Sequence, residues 1–231
     1  MNRTLLVVAR QPVPGQTKTR LHGFLSAESA TELYSCFLLD TLELMQRVAG
    51  VACAIAYSPP EAEPYFRRIA PAGFGFLPQV GSHLGERLDN ALRAYLDHDG
   101  QEAVIMDSDS PTLPVTYLQR AFQTLDDPAV DLVLGPTRDG GYYLIGLKQP
   151  CSALFDVTMS TPEVLHDTLE RARSRHMRTV CLPQWYDIDT PSDLAYLRSE
   201  IGSLPASSAR HTRGLLARGP DSSTDHSSRP I

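Results

Sequence analysis

Apolar and polar positions follow two patterns along the chain: short continuous apolar runs, and longer stretches with an apolar residue every three or four positions. The runs are typical of strands buried on both faces, and the longer spacing is typical of amphipathic helices. The runs predict strands over residues 4–9, 51–57, 73–78, 103–106, 130–134, 142–147 and 179–182. The spacing predicts helices over residues 26–48, 60–69, 84–96, 114–125, 161–174 and 191–201.

Strands that alternate with helices predict a mainly parallel sheet with helices on both faces. One connection differs, because the loop between the strands at 130–134 and 142–147 is too short for a helical crossover and indicates antiparallel pairing. We therefore predict an α/β fold: a three-layer α/β/α sandwich whose Rossmann-like sheet is mainly parallel with one antiparallel strand. Residues 1–201 form this domain. Residues 202–231 are rich in Ser, Arg, Gly and Pro, and we predict a disordered tail.

Four loops of this fold are expected to meet at one edge of the sheet. In a parallel sheet every strand-to-helix loop leaves the C-terminal edge, where ligands of open α/β sheets bind. The loops are residues 10–21, 107–111, 135–141 and, if the last strand is parallel, 187–191. They carry a basic segment, two acidic segments and a Gly-Gly pair, which together outline a site for phosphate and metal.

The acidic loops supply the predicted metal ligands. Asp109 and Asp189 each follow a strand and precede a helix that begins with proline. Carboxylates in this position suit Mg²⁺ or Mn²⁺, whose remaining ligands would be phosphate oxygens. An Asx-type turn stopped by proline explains the first segment equally simply. Asp107 either caps that turn or shares the ion, whereas Asp187 and Asp193 fit a turn residue and an acid at a helix start.

The basic loop supplies the predicted phosphate ligands. Gly15 lets the backbone approach a ligand closely, Lys18 offers a point charge and Arg20 a planar fork. The alternative is a solvated surface loop. Thr17 stands where a Walker A loop needs glycine, so a P-loop NTPase is excluded. Arg87, at the start of a helix, is a further candidate for phosphate, although an exposed arginine is the simpler interpretation.

The loop after the strand at 130–134 supplies the predicted substrate loop. Gly140 and Gly141 permit a tight turn with positive φ, and a binding role is equally open. Tyr142 and Tyr143 alternate on the next strand, so one is expected in the core and the other at the cleft.

Composition narrows the class of protein. A formal net charge of -6 and a pI of about 5.6 argue against a nucleic-acid binder. The four cysteines lack C-x-x-C spacing, which favours free thiols in a reducing, cytoplasmic compartment. No apolar run reaches the ~18 residues of a membrane span, and none resembles a signal peptide.

Five segments occur together in a characteristic order: residues 9–21, 84–88, 108–111, 135–147 and 187–191. In these segments the chain resembles the bacterial glycosyltransferases of the arsenosugar-biosynthesis type, which belong to the nucleotide-diphospho-sugar transferase superfamily with the GT-A fold. The resemblance covers roughly residues 4–200. Arg10 stands where that family usually has Lys, which keeps a charge for nucleotide binding. Asp107 stands where Gly is common.

The resemblance implies a nucleotide or nucleotide sugar and a small-molecule acceptor as partners, and Asp109 as a metal ligand. The superfamily contains sugar transferases, which use an Asp-x-Asp metal site, and nucleotidyltransferases, which use a Gly/Lys/Arg loop after the first strand. The chain has both features. The family favours a metal-dependent glycosyltransferase. An inverting sugar transfer would also need a general base, and Asp139 is the candidate. The alternatives are a nucleotidyltransferase that releases pyrophosphate and a non-catalytic nucleotide-sugar binding protein.

Overall fold

The computed structural model describes residues 3–96 and 101–218. In this part the strands are β1 (Arg3–Arg10), β2 (Ala52–Ser58), β3 (Gly75–Pro78), β4 (Glu102–Met106), β5 (Leu132–Pro136), β6 (Tyr142–Leu147) and β7 (Thr179–Cys181). The α-helices are α1 (Ala27–Gln46), α2 (Glu63–Ile69), α3 (Leu84–Leu96), α4 (Val115–Leu125), α5 (Val164–Ser174), α6 (Pro191–Glu200) and α7 (Arg210–Arg218). Every predicted strand and helix is present, and α7 is additional.

The seven described strands form one sheet in the order β3-β2-β1-β4-β6-β5-β7. β6 runs antiparallel to both of its neighbours, β4 and β5, and the other pairs are parallel. The predicted mainly parallel sheet with one antiparallel strand is confirmed. Because β1 and β4 are parallel and adjacent, with Val7 opposite Met106, the basic loop and the first acidic loop leave the sheet side by side.

Alternation along the strands divides the core into two layers. Leu5 and Val7 of β1 pack with α1, α2 and α4 on one face, while Leu6 packs with α3 and α5 on the other. A third cluster joins the start of α1 to α6 and α7 through residues such as Phe37 and Leu194. Strand side chains point to opposite faces in turn, so a strand covered on both faces is apolar throughout.

Helix α6 begins as predicted. The Thr190 hydroxyl accepts a hydrogen bond from the Asp193 N–H, and the Asp193 carboxylate accepts one from the Thr190 N–H. This capping box occupies Asp193, which confirms its interpretation as an acid at a helix start. None of the helices in residues 3–96 and 101–218 is long and apolar enough to cross a membrane.

The prediction of a disordered tail is wrong for residues 202–218. The Asp40 carboxylate on α1 accepts hydrogen bonds of 2.9 Å from the backbone N–H groups of His211 and Thr212, which caps the start of α7. Leu215 and Leu216 pack against the third core cluster. A specific cap and two leucines order a segment of low apolar content. Residues 219–231, the rest of the predicted tail, lie outside the described residues.

The contact between α1 and α7 brings together four charged or titratable side chains, which we call the helix cluster. It consists of Asp40, Glu43, Arg210 and His211. Glu43 Oε1 accepts hydrogen bonds from Arg210 Nε at 2.8 Å and pairs with His211 Nε2 at 2.9 Å. Asp40 is buried, and both of its oxygens are occupied by α7.

Candidate functional site

A cavity of about 410 Å³ opens at the C-terminal edge of the sheet. Its lining contains carboxylates from three segments, namely Asp107, Asp109, Asp139, Asp187 and Asp189. The lining also has an apolar wall, which includes Leu84, Leu88 and Met159. The structure therefore brings the predicted metal pair and the predicted base to one cleft. We call the five aspartates, with Lys18 and Arg20, the cleft cluster.

Lys18 lies between the two predicted metal ligands. Its Nζ is 2.9 Å from Asp109 Oδ1 and 2.7 Å from Asp189 Oδ1. The Lys18 side chain is only 6% exposed, whereas the two carboxylates are each about one-third exposed, at 32% and 33%. Arg20 Nη1 lies 3.3 Å from Asp189 Oδ2 and is mostly exposed. The lysine predicted to bind phosphate is thus paired with the aspartates predicted to bind metal.

The fold of the basic loop explains this position. The Thr17 side chain accepts a hydrogen bond from the Val13 N–H at 2.8 Å and donates one to the Val13 carbonyl at 2.9 Å. Gly15 has a φ of +79°, and no atom lies within 4 Å of its Cβ position, so the turn needs glycine for its backbone angle. Lys18 itself has left-handed backbone angles, φ 48° and ψ 47°. This conformation is uncommon outside glycine, and it turns the ammonium group inward.

Two Asp-x-Asp segments supply four of the carboxylates. In each segment the middle residue is buried: Ser108 hydrogen bonds the Tyr34 hydroxyl at 2.9 Å, and Ile188 lies in the third core cluster. Both flanking aspartates then line the cleft. Sequence reasoning assigned Asp187 only a turn role, although the repeated Asp-x-Asp spacing was a signal that it belongs to the cleft.

Asp107 caps the predicted turn and also lies at the cavity, where sharing an ion stays a prediction. Its carboxylate accepts hydrogen bonds of 3.1 Å from the Asp109 N–H and from the Ser110 hydroxyl, which makes the predicted Asx-type turn. It also lines the cavity. Burial raises the pKa of Asp107 well above its ordinary value, and Asp109 and Asp187 raise it further.

Burial and neighbouring charges also shift the pKa values of the other aspartates in the cleft. Burial, then Asp139 and Asp189, raise the pKa of Asp187 to about 6. Burial raises the pKa of Asp109, although Lys18 opposes the shift. The pKa of Asp189 is lowered, because Lys18 outweighs the effect of burial. Burial alone would lower the pKa of Lys18, but Asp109 and Asp189 more than compensate and raise it, so the amine stays an ammonium ion.

The cleft residues fit a divalent cation. Five carboxylates line one cavity, and among the described residues two cationic side chains, Lys18 and Arg20, form ion pairs with them. Asp109 Oδ1 is buried and, apart from its ion pair with Lys18, accepts no hydrogen bond from the part of the chain that the structure describes. Hard oxygen ligands with unmet negative charge are the donor set that Mg²⁺ and Mn²⁺ prefer.

A second cavity, of about 260 Å³, adjoins the first on the side of the basic loop. Its lining includes Arg10, Lys18, Arg20 and Tyr34, and it shares Asp109 with the first cavity. Three of the predicted nucleotide ligands therefore surround one space. Arg87 is elsewhere: its Nε donates to the Gly81 carbonyl at 3.0 Å, and it lines neither of these two cavities in the described structure.

Some residues of the predicted substrate loop stabilise the turn, and others line the cleft. Asp139 Oδ1 accepts hydrogen bonds from the Thr137 hydroxyl at 2.5 Å and from the Gly141 N–H at 3.1 Å. Gly140 has a φ of +93°, and a Cβ there would lie 1.9 Å from the Pro162 carbonyl oxygen, so its role is packing against the start of α5. Gly141 and Tyr142 line the cleft.

The two tyrosines of β6 differ in burial. Tyr143 is fully buried, and its ring lies against Gly135, where a Cβ would come within 2.3 Å of it. Tyr142 is partly exposed and packs against the second layer of the core, although its hydroxyl oxygen is buried. Both residues contribute to the cavity lining, so the assignment of one ring to the core and the other to the cleft stays a prediction.

Comparison with known proteins identifies the family. A family described as "uncharacterized protein conserved in bacteria" matches residues 41–161. The chain belongs to the DUF2064 family. A crystal structure from Desulfovibrio desulfuricans G20, provisionally assigned as a nucleotide-diphospho-sugar transferase, is similar to this DUF2064 protein with 32% identity, a TM-score of 0.84 and 94% of each chain covered. No curated protein matches the chain.

More distant structures share the fold. CMP:2-keto-3-deoxy-manno-octonic acid synthetase complexed with CTP is 15% identical, with a TM-score of 0.57 and coverage of 88% of this chain and 99% of the other. The 4-diphosphocytidyl-2C-methyl-D-erythritol synthase of Anaerococcus prevotii DSM 20548 is 12% identical, with a TM-score of 0.56 and coverage of 87% and 97%. Membership of the nucleotide-diphospho-sugar transferase superfamily is confirmed. The arsenosugar-biosynthesis type stays a prediction.

Proposed function

We propose that this DUF2064 protein is a glycosyltransferase that depends on a divalent metal and uses a nucleotide-diphospho-sugar donor with a small-molecule acceptor. The observation that carries the proposal is the contact of the basic loop with the acidic pair, in which Lys18 touches both Asp109 and Asp189. A metal–diphosphate complex needs carboxylates for the ion and cationic side chains for the phosphates at the same place. The relative from D. desulfuricans, with its provisional assignment, supports the donor class.

Each group of residues then has a task. Asp109 and Asp189 would hold Mg²⁺ or Mn²⁺, which when bound supplies positive charge beside the departing diphosphate. Lys18, Arg20 and Arg10 bind phosphate oxygens and stabilise the negative charge that grows on the leaving group. The residues of the second cavity thus bind the donor, and the acceptor enters along the apolar wall of the first.

Asp139 is the proposed general base for an inverting transfer. The hydrogen bonds from Thr137 and Gly141 both end on Oδ1, and they fix the orientation of the carboxylate. Oδ2 is the oxygen that would take the proton from an acceptor hydroxyl as it attacks the sugar carbon. Gly141 and Tyr142 form the wall beside it.

Nucleotidyl transfer is the second candidate, and the position of the basic loop favours it. Lys18 and Arg20 lie in the loop that follows the first strand, and this loop borders a cavity with three cationic side chains. Such a site suits a triphosphate, from which a nucleoside monophosphate would pass to a phosphorylated acceptor with release of pyrophosphate.

A binding and product assay tests both candidates. Nucleoside triphosphates and nucleotide-diphospho-sugars are titrated into the protein with and without Mn²⁺, with Asp109→Asn as the matched control. Glycosyl transfer predicts Mn²⁺-dependent binding of a nucleotide sugar and release of a nucleoside diphosphate. Preference for a triphosphate with release of pyrophosphate supports the second candidate. A nucleotide sugar that binds without turnover, across a broad set of acceptors, would indicate a binding protein and contradict both.

A further inference from the structure

Lys18 contacts the two aspartates at the place where a metal ion would bind. Its ammonium nitrogen lies within 3 Å of one oxygen from each of the two carboxylates that would hold the metal. Metal–oxygen bonds are 2.0–2.6 Å long for Mg²⁺ and Ca²⁺, so an ion bound to the same two oxygens would lie almost where the ammonium lies. Two cations cannot share that place, because their repulsion is large at such a separation.

The surroundings of Lys18 offer a second location for its charge. Lys18 also lines the second cavity, together with Arg10, Arg20 and Tyr34. The same cavity is lined by Asp109 and Asp189, so its cationic side chains lie beside the acidic pair. Phosphate groups in this cavity would give the ammonium a new anionic partner beside the two carboxylates that it contacts now.

From this geometry we infer that Lys18 is an internal cation that occupies the place of the divalent ion and exchanges with it. In the protein without ligands, Lys18 neutralises Asp109 and Asp189. When a metal–phosphate complex enters, the metal replaces the ammonium at the carboxylates and Lys18 pairs with phosphate. The inference rests on the proposed function for the phosphate step, but the competition between ammonium and metal does not.

Exchange has a consequence that a simple phosphate ligand would not have. Lys18 must weaken the binding of metal alone, because the ion has to displace it, and must strengthen the binding of metal together with phosphate. A neutral side chain of similar length should therefore change the two affinities in opposite directions. A lysine that only holds the loop in place would not produce this reversal.

The principal test is the affinity of Mn²⁺ for the wild-type protein and for Lys18→Met, measured by electron paramagnetic resonance of the free ion with no nucleotide present. We expect Lys18→Met to bind Mn²⁺ on the order of tenfold more tightly, because a nearby positive charge has been removed. Asp109→Asn is the site control and should lose binding in both backgrounds. Equal or weaker Mn²⁺ binding by folded Lys18→Met would overturn the inference, as would a failure of Mn²⁺ to bind either protein at millimolar concentration.

A measurement on the wild-type chain covers the case in which Lys18→Met does not fold. The sequence contains two lysines, Lys18 and Lys148, so lysine labelled with ¹³C at Cε gives two side-chain signals, and Lys18→Arg assigns them. Mg²⁺ should shift the Lys18 signal saturably and leave Lys148, which is bonded to the Asp127 carbonyl, unchanged. A Lys18 signal that stays constant while Mg²⁺ saturates the site would contradict the exchange.

Adding inorganic pyrophosphate separates this inference from the proposed function. If exchange is correct and phosphate binds, pyrophosphate tightens Mn²⁺ binding by the wild type and does so less in Lys18→Met. If pyrophosphate and all nucleotides fail to bind, the proposed function fails, while tighter binding of Mn²⁺ alone by Lys18→Met still supports the competition.

Discussion

The helix cluster and the cleft cluster both bring acidic side chains together, but they differ in how far other groups compensate the negative charge. Asp40, Glu43 and His211 bring three ligand atoms within 4.8 Å of one another, closer to a metal-binding arrangement than any other triad among the described residues. Yet the Asp40 oxygens accept two backbone hydrogen bonds, and Glu43 is paired with Arg210 and His211. Burial would raise the pKa of Glu43, but these two partners outweigh it and the pKa is lowered. Burial raises the pKa of Asp40, and there the hydrogen bonds from His211 and Thr212 oppose the shift.

In the cleft cluster the negative charges act on one another. The pKa of Asp107 and that of Asp187 are both raised by burial and then by neighbouring aspartates. Proximity of ligand atoms is therefore a poor guide to a cation site, because the compact triad is already neutralised. Unmet negative charge facing a cavity is the better guide, and four substitutions or truncations can test this contrast.

Asp109→Asn is expected to have the largest effect. It removes an anionic ligand of similar shape, so Mn²⁺-dependent nucleotide binding should weaken on the order of 100-fold or more. The melting temperature without metal should not fall, because burial and Asp189 raise the pKa of Asp109 despite its ion pair with Lys18, so the charged carboxylate is already disfavoured in the folded protein. Calorimetric titration and thermal unfolding measure the two quantities. Asp187→Asn is the matched control with a much smaller loss of binding; equal losses would contradict the assignment of Asp109 and Asp189 as the ligand pair.

Removal of α7 tests the helix cluster as a structural element. A chain ending at residue 203 loses the cap and the packing of Leu215 and Leu216, which should cost about 2 kcal/mol of unfolding free energy. A chain ending at residue 218 keeps all of these contacts and is the reference. Urea unfolding compares the two. Equal midpoints and slopes would show that α7 contributes nothing to stability.

Asp40→Asn tests the cap alone. The substitution places an amide N–H₂ against a backbone N–H of α7, and should lower the unfolding free energy by about 1–2 kcal/mol. Nucleotide binding should be unchanged, in contrast with Asp109→Asn. A metal requirement for the stability of the wild type, absent in Asp40→Asn, would mean that the helix cluster binds a cation after all.

Arg20→Ala should have the smallest effect. Arg20 is 63% exposed and its ion pair with Asp189 is open to solvent, so its loss should leave stability unchanged. Nucleotide affinity should fall about three- to tenfold, because a charge-assisted contact to phosphate is lost. Arg87→Ala is the comparison, since Arg87 is bonded to the Gly81 carbonyl and lies away from both cavities. A greater loss of nucleotide affinity in Arg87→Ala would indicate that Arg87 is a phosphate ligand after all.

Sequence patterns predicted the elements well because the sheet is buried on both faces. Apart from their end positions, strands such as β1 and β4 are continuous apolar runs, over residues 5–9 and 103–106. The helices carry one apolar face, so periodicity separates the two kinds of element. Topology then placed Asp109, Asp139 and Asp189 at one edge without any knowledge of distances. The same rule put the basic loop beside them.

What the sequence could not predict depends on single conformations and long-range contacts. Lys18 turns inward through left-handed backbone angles at a residue that is not glycine. Helix α7 depends on one carboxylate of α1, about 170 residues away, that no local pattern connects to it. The sequence made Arg87 a candidate phosphate ligand, but its side chain donates a hydrogen bond to the Gly81 carbonyl in the loop before α3.

The ion pair between Lys18 and Asp189 joins two segments that are synthesised at different times. The two residues are 171 positions apart, and the Ile188 N–H donates a hydrogen bond of 3.1 Å to the Asp109 carbonyl beside them. Synthesis begins at the N-terminus, so β1 and β4 emerge before residue 189. Lys18 therefore has no second carboxylate until the segment with Asp189 has been made. A chain interrupted before residue 189 would carry the central strands of the sheet without a complete cleft.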